Sequence, residues 1–447
     1  MKPVLKEFMS ETTCHGWKYV GDNKSSIYIR MIWLAVVLAL LGGLSYTLIK
    51  TYVSYKEHRF LTVTRTERRE EIPFPGITLC NRGMYSNSSG FITEEIAEYI
   101  MKSAQNGYDW STPDSKKIAN VSIAQFLEAT AFDWQKMINY LMIGYNPIQT
   151  STLETIDTEE GRCLIINGPQ YVSTNGRLKL QQMGSDRGLT LSLVTFQDNY
   201  VPTVAMDAGF ELFLHEPYET IKIRSGGILL SPGTNNLISL RPVEYKLLPY
   251  PYKSHGKDHC LEENNERFEH IKKLYGYKEY SRDSCLRDCT ANATVHECGC
   301  KTLLETVKNV VRAEKKELCD CPWPCRQITY ETKLSNTLFP SVTGVNYINK
   351  LYNTSLTVES ARNNLLQVKI FFKDMFYTEI KHVPEFDFDS IFGRVGGQMG
   401  LFLGASLVSA FELLVYMVKF IWNGVEGHRA NTKKTNIQPL SEKSIPG

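Results

Sequence analysis

The residues of this 447-residue chain best suited to chemistry lie at 393–418, GRVGGQMGLFLGASLVSAFELLVYMV. From Val395 to Phe411 the stretch carries no charge, and after Glu412 the apolar run resumes as far as Val418. Its 24 residues (395–418) exceed the roughly 20 that a helix needs to cross an apolar bilayer core. Gly393, Gly396, Gly397, Gly400 and Gly404 thin one face, and Ala405 and Ser406 follow. Small residues let helices approach closely, and a thinned face also leaves room for water and ions along an axis. At that depth Gly404, Ala405 and Ser406 offer carbonyls and a hydroxyl, groups that can replace part of a cation's hydration. A plain anchor has no use for them. The competing reading is a small-xxx-small association face with Glu412 turned inward.

One other segment, 31–49, has 19 uncharged residues between Arg30 and Lys50. A signal peptide fits poorly, because 30 residues precede the run and it exceeds the roughly 7–15 residues of such a core. Two spans put both termini on one side. Lys2, Lys6, Lys18, Lys24 and Arg30 precede the first span and Lys419, Arg429, Lys433 and Lys434 follow the second, as cytoplasmic flanks do. Ten of the 11 cysteines lie between the spans, an even set suited to disulfides in an oxidising space. Four glycosylation sequons fall there as well, at Asn87, Asn120, Asn292 and Asn353. The organisation expected is a cytoplasmic N-terminus (1–30), a first transmembrane helix (31–49), an extracellular domain (50–394), a second transmembrane segment (395–418) and a cytoplasmic tail (419–447), at the plasma membrane. A net charge of +2 makes no electrostatic case for nucleic acid, whereas membrane lipid is an implied partner.

Within the extracellular part, 74–81 reads as a buried strand closed by a cysteine. Helical spacing is expected at 92–101 and at 123–142, where Phe126, Leu127, Phe132, Met137, Ile138 and Leu141 recur. Period-two runs such as Leu189–Val194 and 210–214, with turns at Asn175-Gly176 and Pro232-Gly233, predict an antiparallel sheet over 163–250. Cys260, Cys285, Cys289, Cys298, Cys300, Cys319, Cys321 and Cys325 form a dense block with an apolar helical face at Leu303, Leu304, Val307, Val310 and Val311. Eight cysteines allow 105 pairings, and spacing alone does not choose among them. The oxidising setting favours disulfides over zinc. Residues 326–385 return to strand-like sequence and lead into Glu385, Asp387 and Asp389. These alternating acids read as a solvated strand edge or, at the mouth of a three-chain pore, as carboxylates that concentrate cations. No metal set surrounds His15, and Tyr52 and Tyr55 read as interfacial aromatics.

Two spans with short flanks, a helix–sheet–cysteine domain and a Gly-Ala-Ser triplet together resemble the degenerin/epithelial sodium channel/acid-sensing ion channel family. The resemblance covers nearly the whole chain. Its pieces are His15-Gly16, FPGITLCN at 74–81, Gly161-Arg162-Cys163, the cysteine block, and GGQMGLFLGAS at 396–406 with Glu412-Leu413. It implies an α+β membrane protein that forms a trimeric, amiloride-sensitive channel, of identical or sister subunits, with sodium as the transported ion and no cofactor. The implied layout is a palm and ball sheet, finger and knuckle helices and a cysteine-rich thumb at about 260–325. Gly404, Ala405 and Ser406 resemble the selectivity triplet in an interrupted second helix, tolerable at membrane depth where the freed carbonyls line water. Glu412 would then lie in the inner pore, and Glu385, Asp387 and Asp389 at its mouth. His15 and Gly16 resemble the gating motif, Ser390 falls at the degenerin position, and Tyr55 resembles the aromatic that couples thumb to first helix. The implied disulfides are Cys80–Cys163, Cys260–Cys325, Cys285–Cys321 and Cys289–Cys319, while Cys298 and Cys300 lack their usual partners.

The departures bear on the stimulus. Acid-sensing members carry acids in finger, thumb, upper second helix and lower palm. The corresponding places here read Val201-Pro202-Thr203-Val204, a lysine-rich 308–316, Arg394 and Arg65-Thr66. The expected stimulus is an extracellular neuropeptide of the RFamide kind, as in the family's invertebrate branch, with protons as the alternative. An ATP-gated-type trimer is the nearest rival class, and the Gly-Ala-Ser triplet discriminates against it. For an enzyme there is no nucleophile elbow, H-E-x-x-H or phosphate loop, and His255 and His259 beside Cys260 sit where Pro251 and Gly256 disfavour a helix.

Overall fold

The computed structural model describes residues 8, 12–13, 15–22, 24–98, 123–149, 153–158, 160–201, 206–219, 221, 226–256, 258–276, 278–298, 319–406, 408–409 and 411–422. They divide into two units, residues 1–61 with 383–447, and residues 62–382.

The first unit is helical. Its longest element is Ile27–Lys56, 30 residues rich in Leu, Ile and Val and free of proline. At about 1.5 Å per residue it is about 45 Å long, more than an apolar core of about 30 Å requires. The helix overruns the apolar segment 31–49 at both ends, because nothing in 50–56 stops it: Thr51 donates its hydroxyl to the Thr47 carbonyl (2.9 Å) and the ladder continues. Tyr52 and Tyr55, expected just past the span, therefore lie on its last turns. Among the described residues this is the one helix long and apolar enough to cross a membrane. The second apolar run is divided. Phe388–Leu403 is one helix, 404–406 leave the helix, and 408–409 and 411–422 are helical again.

The second unit is built on two sheets. The larger runs Phe60–Arg68, Phe376–Pro384, Thr234–Lys246, Leu365–Phe372, Leu189–Val194, Ile138–Ile143 and Asn146–Pro147, with Arg326–Leu338 also paired to Thr234–Lys246. Thr234–Lys246 is antiparallel to Arg326–Leu338 and parallel to Leu365–Phe372 and Phe376–Pro384, so the sheet is mixed where an antiparallel one was expected. The smaller orders Ile228–Leu230, Phe210–His215, Gly76–Asn81, Gly161–Ile166 and Glu154–Thr158. In Leu365–Phe372 buried Leu366, Val368, Ile370 and Phe372 alternate with half-buried Gln367, Lys369 and Phe371, as a strand with one core-facing side must. These side chains, with Leu189, Leu191 and Leu193, meet Ile77, Leu79, Leu164, Phe210 and Leu212 of the smaller sheet in one continuous core.

Two expectations are corrected. The helical spacing over 123–142 is broken and ends early: Ile123–Thr130 is a helix and Trp134–Met137 a single helical turn capped by Asp133, but Ile138–Ile143 is a strand paired with Leu189–Val194. The apolar positions of a buried strand and of a helix look alike over so short a run, and here the open strand edge prevails. Residues 326–385 are also not wholly extended. Val342–Tyr352, capped by Ser341, and Val358–Asn364, capped by Thr357, are helices. The spacing at 92–101 falls partly outside the described residues, of which 94–98 are helical. The face at 303–311 and the lysines at 308–316 lie outside them altogether.

Candidate functional site

The break in the second run is written in three consecutive residues. Gly404 takes the left-handed conformation (φ 59°, ψ 21°) and closes the preceding helix, its N–H bonding the Gly400 carbonyl at 2.9 Å while the Ala405 N–H reaches Met399 at 3.3 Å. Ser406 then opens the next helix. Its N–H donates to Ser409 Oγ (3.1 Å) and the Ser409 N–H donates back to Ser406 Oγ (3.4 Å), a reciprocal capping box. A stop signal followed at once by a start signal interrupts the helix without proline. The two caps satisfy backbone groups that a helix end otherwise leaves without partners.

The N-terminal segment completes the site. The His15 N–H donates to the Leu403 carbonyl at 3.0 Å, another of the carbonyls the helix end leaves open. The His15 imidazole occupies the space beside Gly404 so closely that a Cβ on Gly404 would fall inside the ring. Gly16 is equally constrained: φ is +89°, and a Cβ there would stand 2.6 Å from Val37 on the long helix. Thus the His-Gly pair has a steric reason on each side. Trp17–Gly21 follows as a short helix, with Tyr19 stacked on Trp33 (4.6 Å between centroids) and the Arg30 Nε donating to the Val20 carbonyl (3.0 Å). The long helix meets the first half-helix where Gly43 faces Phe402, whose ring would lie 2.8 Å from a Cβ at 43.

Three polar side chains join the segment to the second half-helix. Thr13 donates both its N–H (3.2 Å) and its hydroxyl (3.0 Å) to Glu412 Oε2. Its Oγ1 lies 2.7 Å from Ser409 Oγ, and because the Thr13 hydroxyl proton goes to Glu412, it is Ser409 that donates in this contact. Ser409 is 3% exposed, a buried hydroxyl with every role filled. Sequence reasoning missed Thr13 and Ser409. Ser-x-x-Ser at 406–409 was a legible capping signal, but nothing in the sequence links Thr13 to residues almost 400 positions away.

At the far end of the first half-helix the three acids expected at a mouth have separate roles. Asp387 is the N-cap, accepting from the Ser390 N–H (2.8 Å) while its own N–H donates to Ser390 Oγ (3.0 Å). The Ser390 hydrogen bonds hold the Asp387 carboxyl below its ordinary range. Glu385 faces Arg394 at 3.8 Å, and that guanidinium also lies 4.7 Å from the Phe386 ring centre. Asp389 is exposed. Ser390 therefore sits in a helix cap, and Tyr55 is exposed on the long helix with its ring 6.1 Å from that of His58.

In the larger unit Cys80–Cys163 joins adjacent strands, and Cys260–Cys325, Cys285–Cys321 and Cys289–Cys319 staple the cysteine block. These are the pairs the resemblance implied. The ladder has a simple geometry: Cys285 and Cys289 are one turn apart on the helix Arg282–Cys298 and so share a face, and that face is met by Cys321 and Cys319, two residues apart. The Cys298 side chain and Cys300 lie outside what is described, as does Asn120. Asn87, Asn292 and Asn353 are exposed. Among the titratable groups, burial pushes His215 down to about 4; its Nδ1 donates to the Glu216 carbonyl (2.7 Å), which leaves Nε2 to accept from Thr78 (2.8 Å). Burial raises the carboxyls of Glu160 and Glu279 above the usual range, each partly offset by an arginine, Arg82 and Arg177 respectively. Among the described residues no group of three or more His, Cys, Asp or Glu side chains is placed to hold a metal ion.

The family of amiloride-sensitive sodium channels matches residues 8–416 of this chain. Acid-sensing ion channel 4-B of Danio rerio is 24% identical over 99% of this chain and 81% of its own length. The bile acid-sensitive ion channel of Rattus norvegicus is 24% identical over 93% of this chain and 88% of its own. Acid-sensing ion channel 1 of Gallus gallus is 23% identical, covering 94% and 85% respectively. A solved proton-activated chloride channel covers 87% of this chain at 9% identity and a TM-score of 0.33, a likeness too slight to build on. The chain belongs to the amiloride-sensitive sodium channel family, the degenerin/epithelial sodium channel/acid-sensing group of plasma-membrane channels, which assemble from several subunits and are not enzymes.

Proposed function

We propose that three such chains, identical or with sister subunits, form a sodium-selective, amiloride-blocked pore whose filter is Gly404, Ala405 and Ser406, opened by an extracellular neuropeptide. The observation that carries this reading is the helix break itself. It frees backbone carbonyls in the middle of the second apolar run, where small side chains permit a narrow three-fold ring able to replace part of a cation's hydration. His15 and Gly16, packed beneath that break, are then placed to transmit the state of the N-terminal segment to the filter. The 395–418 run is the second span, both termini are cytoplasmic, and the disulfide-rich unit with its sequons is extracellular.

The stimulus is argued from charge. Arg394 and Arg65 stand where acid-sensing relatives have acids, and Arg394 is engaged with Glu385. A peptide ligand needs no such acids. One observation favours protons instead: Glu160 and Glu279 take up protons at a higher pH than ordinary carboxylates. Whole-cell recording from the chain expressed alone decides between them. An amiloride-blocked sodium current evoked by amidated peptides and not by a pH drop is the expected result, and an acid-evoked current would replace the first reading with the second.

A further inference from the structure

We propose that Thr13 is a positioning residue of the pore: its hydroxyl clasps Glu412 and Ser409 and thereby holds His15 against the Gly404–Ser406 break. The inference deepens the reading of that break as the filter and rests on it for its consequence on selectivity, though not for the clasp itself.

One small residue makes three hydrogen bonds here, two through its hydroxyl and one through its N–H. Glu412 is the single charge in an apolar run, and a carboxylate at membrane depth is tolerated where donors face it. Thr13 supplies two such donors to the same oxygen, at 3.2 and 3.0 Å. Its hydroxyl oxygen also accepts from Ser409 at 2.7 Å, and Ser409 in turn caps Ser406. The chain of hydrogen bonds therefore runs from Glu412 through Thr13 and Ser409 to the last residue of the triplet. Two residues along the backbone from Thr13, the His15 ring fills the space beside Gly404, the first residue of the triplet, and its N–H bonds Leu403. Release of Thr13 frees the segment at the point where it is tied to both ends of the break. Serine preserves every one of these bonds. Valine has the same shape and keeps the N–H, but loses the hydroxyl.

The test uses the purified full-length channel in lipid nanodiscs and hydrogen exchange at the His15 and Ala405 amides, which needs no knowledge of the stimulus. Thr13→Val is expected to speed exchange at both amides at least tenfold, and Thr13→Ser to stay within twofold of the wild type. Ser409→Ala, which leaves the Glu412 contacts in place, gives an intermediate change. Exchange in Thr13→Val within twofold of wild type overturns the proposal, as does equal acceleration by Val and Ser, which would mean that the hydroxyl is not the cause. In a conducting preparation the sodium-over-potassium permeability ratio should fall several-fold in Thr13→Val and recover in Thr13→Ser. If Ser406→Cys moves that ratio and Thr13→Val does not, the positioning role is refuted while the filter reading stands. If substitutions at Gly404, Ala405 and Ser406 all leave the ratio unmoved, the filter reading fails, and the exchange rates alone decide the clasp.

Discussion

Replacing Gly404 with alanine separates two costs that the structure lays out individually. At φ 59° an alanine sits in the left-handed region, which disfavours any side chain by about 1–2 kcal/mol. The new methyl also falls inside the His15 imidazole, so the ring must leave, and the bond from the His15 N–H to Leu403 goes with it. A hydrogen bond of that kind contributes about 0.5–1.5 kcal/mol net. Together the losses come to about 1.5–3.5 kcal/mol, roughly a 10- to 300-fold change in the population of the native break. Hydrogen-exchange protection of the 404 and 405 amides, which donate to Gly400 and Met399, reads that population directly. The decisive comparison is a double-mutant cycle with His15→Ala. Without the ring only the backbone cost remains, so Gly404→Ala should reduce protection about two- to tenfold less in the His15→Ala background than in the wild type. An identical reduction in both backgrounds would refute the seating of His15 on Gly404.

Three further outcomes follow from the larger unit. His215 is held neutral with its pKa at about 4, whereas an unfolded histidine titrates near 6.5. The unfolded chain therefore takes up a proton first, and the fold loses about 3 kcal/mol as pH falls from about 6.5 to about 4. His215→Gln should flatten the pH dependence of the melting temperature across that window, and an unaltered slope would count against the burial argument. Removing the Cys80–Cys163 bond with a double serine variant reopens a loop with a sequence separation of 83, a loss of about 4–5 kcal/mol on chain-entropy grounds. Surface expression should fall sharply, and normal expression with full thermal stability would contradict it. Gly161→Ala places a methyl on the Met84 carbonyl oxygen at φ +82° and should destabilise by at least about 2 kcal/mol, measured as a lowered melting temperature.

Much of the fold was legible because its signals are local. The buried strand at Gly76–Asn81 and the alternation in Leu365–Phe372 each depend on neighbours in sequence, whereas the interruption at 404–406 came from the family resemblance. Where local pattern is degenerate, reading fails. Ile138–Ile143 has apolar spacing that suits a helix as well as a strand, and only the partner Leu189–Val194 decides. The helices Val342–Tyr352 and Val358–Asn364 begin at Ser341 and Thr357, capping signals that the surrounding strand-like sequence concealed. Asp387 illustrates a third kind of limit. Read as one of three alternating acids, it is also the first residue of an Asp-x-x-Ser helix start, a second role that the sequence reading passed over. The Thr13–Glu412 clasp has no sequence signature at all, since it is made by two ends of the chain that only the fold brings together.

On the reading proposed above, sodium is selected at the break at 404–406. That reading is tested most directly by the reversal potential of the amiloride-blocked current under opposed sodium and potassium gradients, in the wild type and in Ser406→Cys. Following the sodium potential in the wild type and shifting toward potassium, or losing current, in the variant is the expected result. A sodium-selective current with an unchanged reversal potential in Ser406→Cys, and likewise after substitution of Gly404 or Ala405, would place the filter elsewhere in the chain.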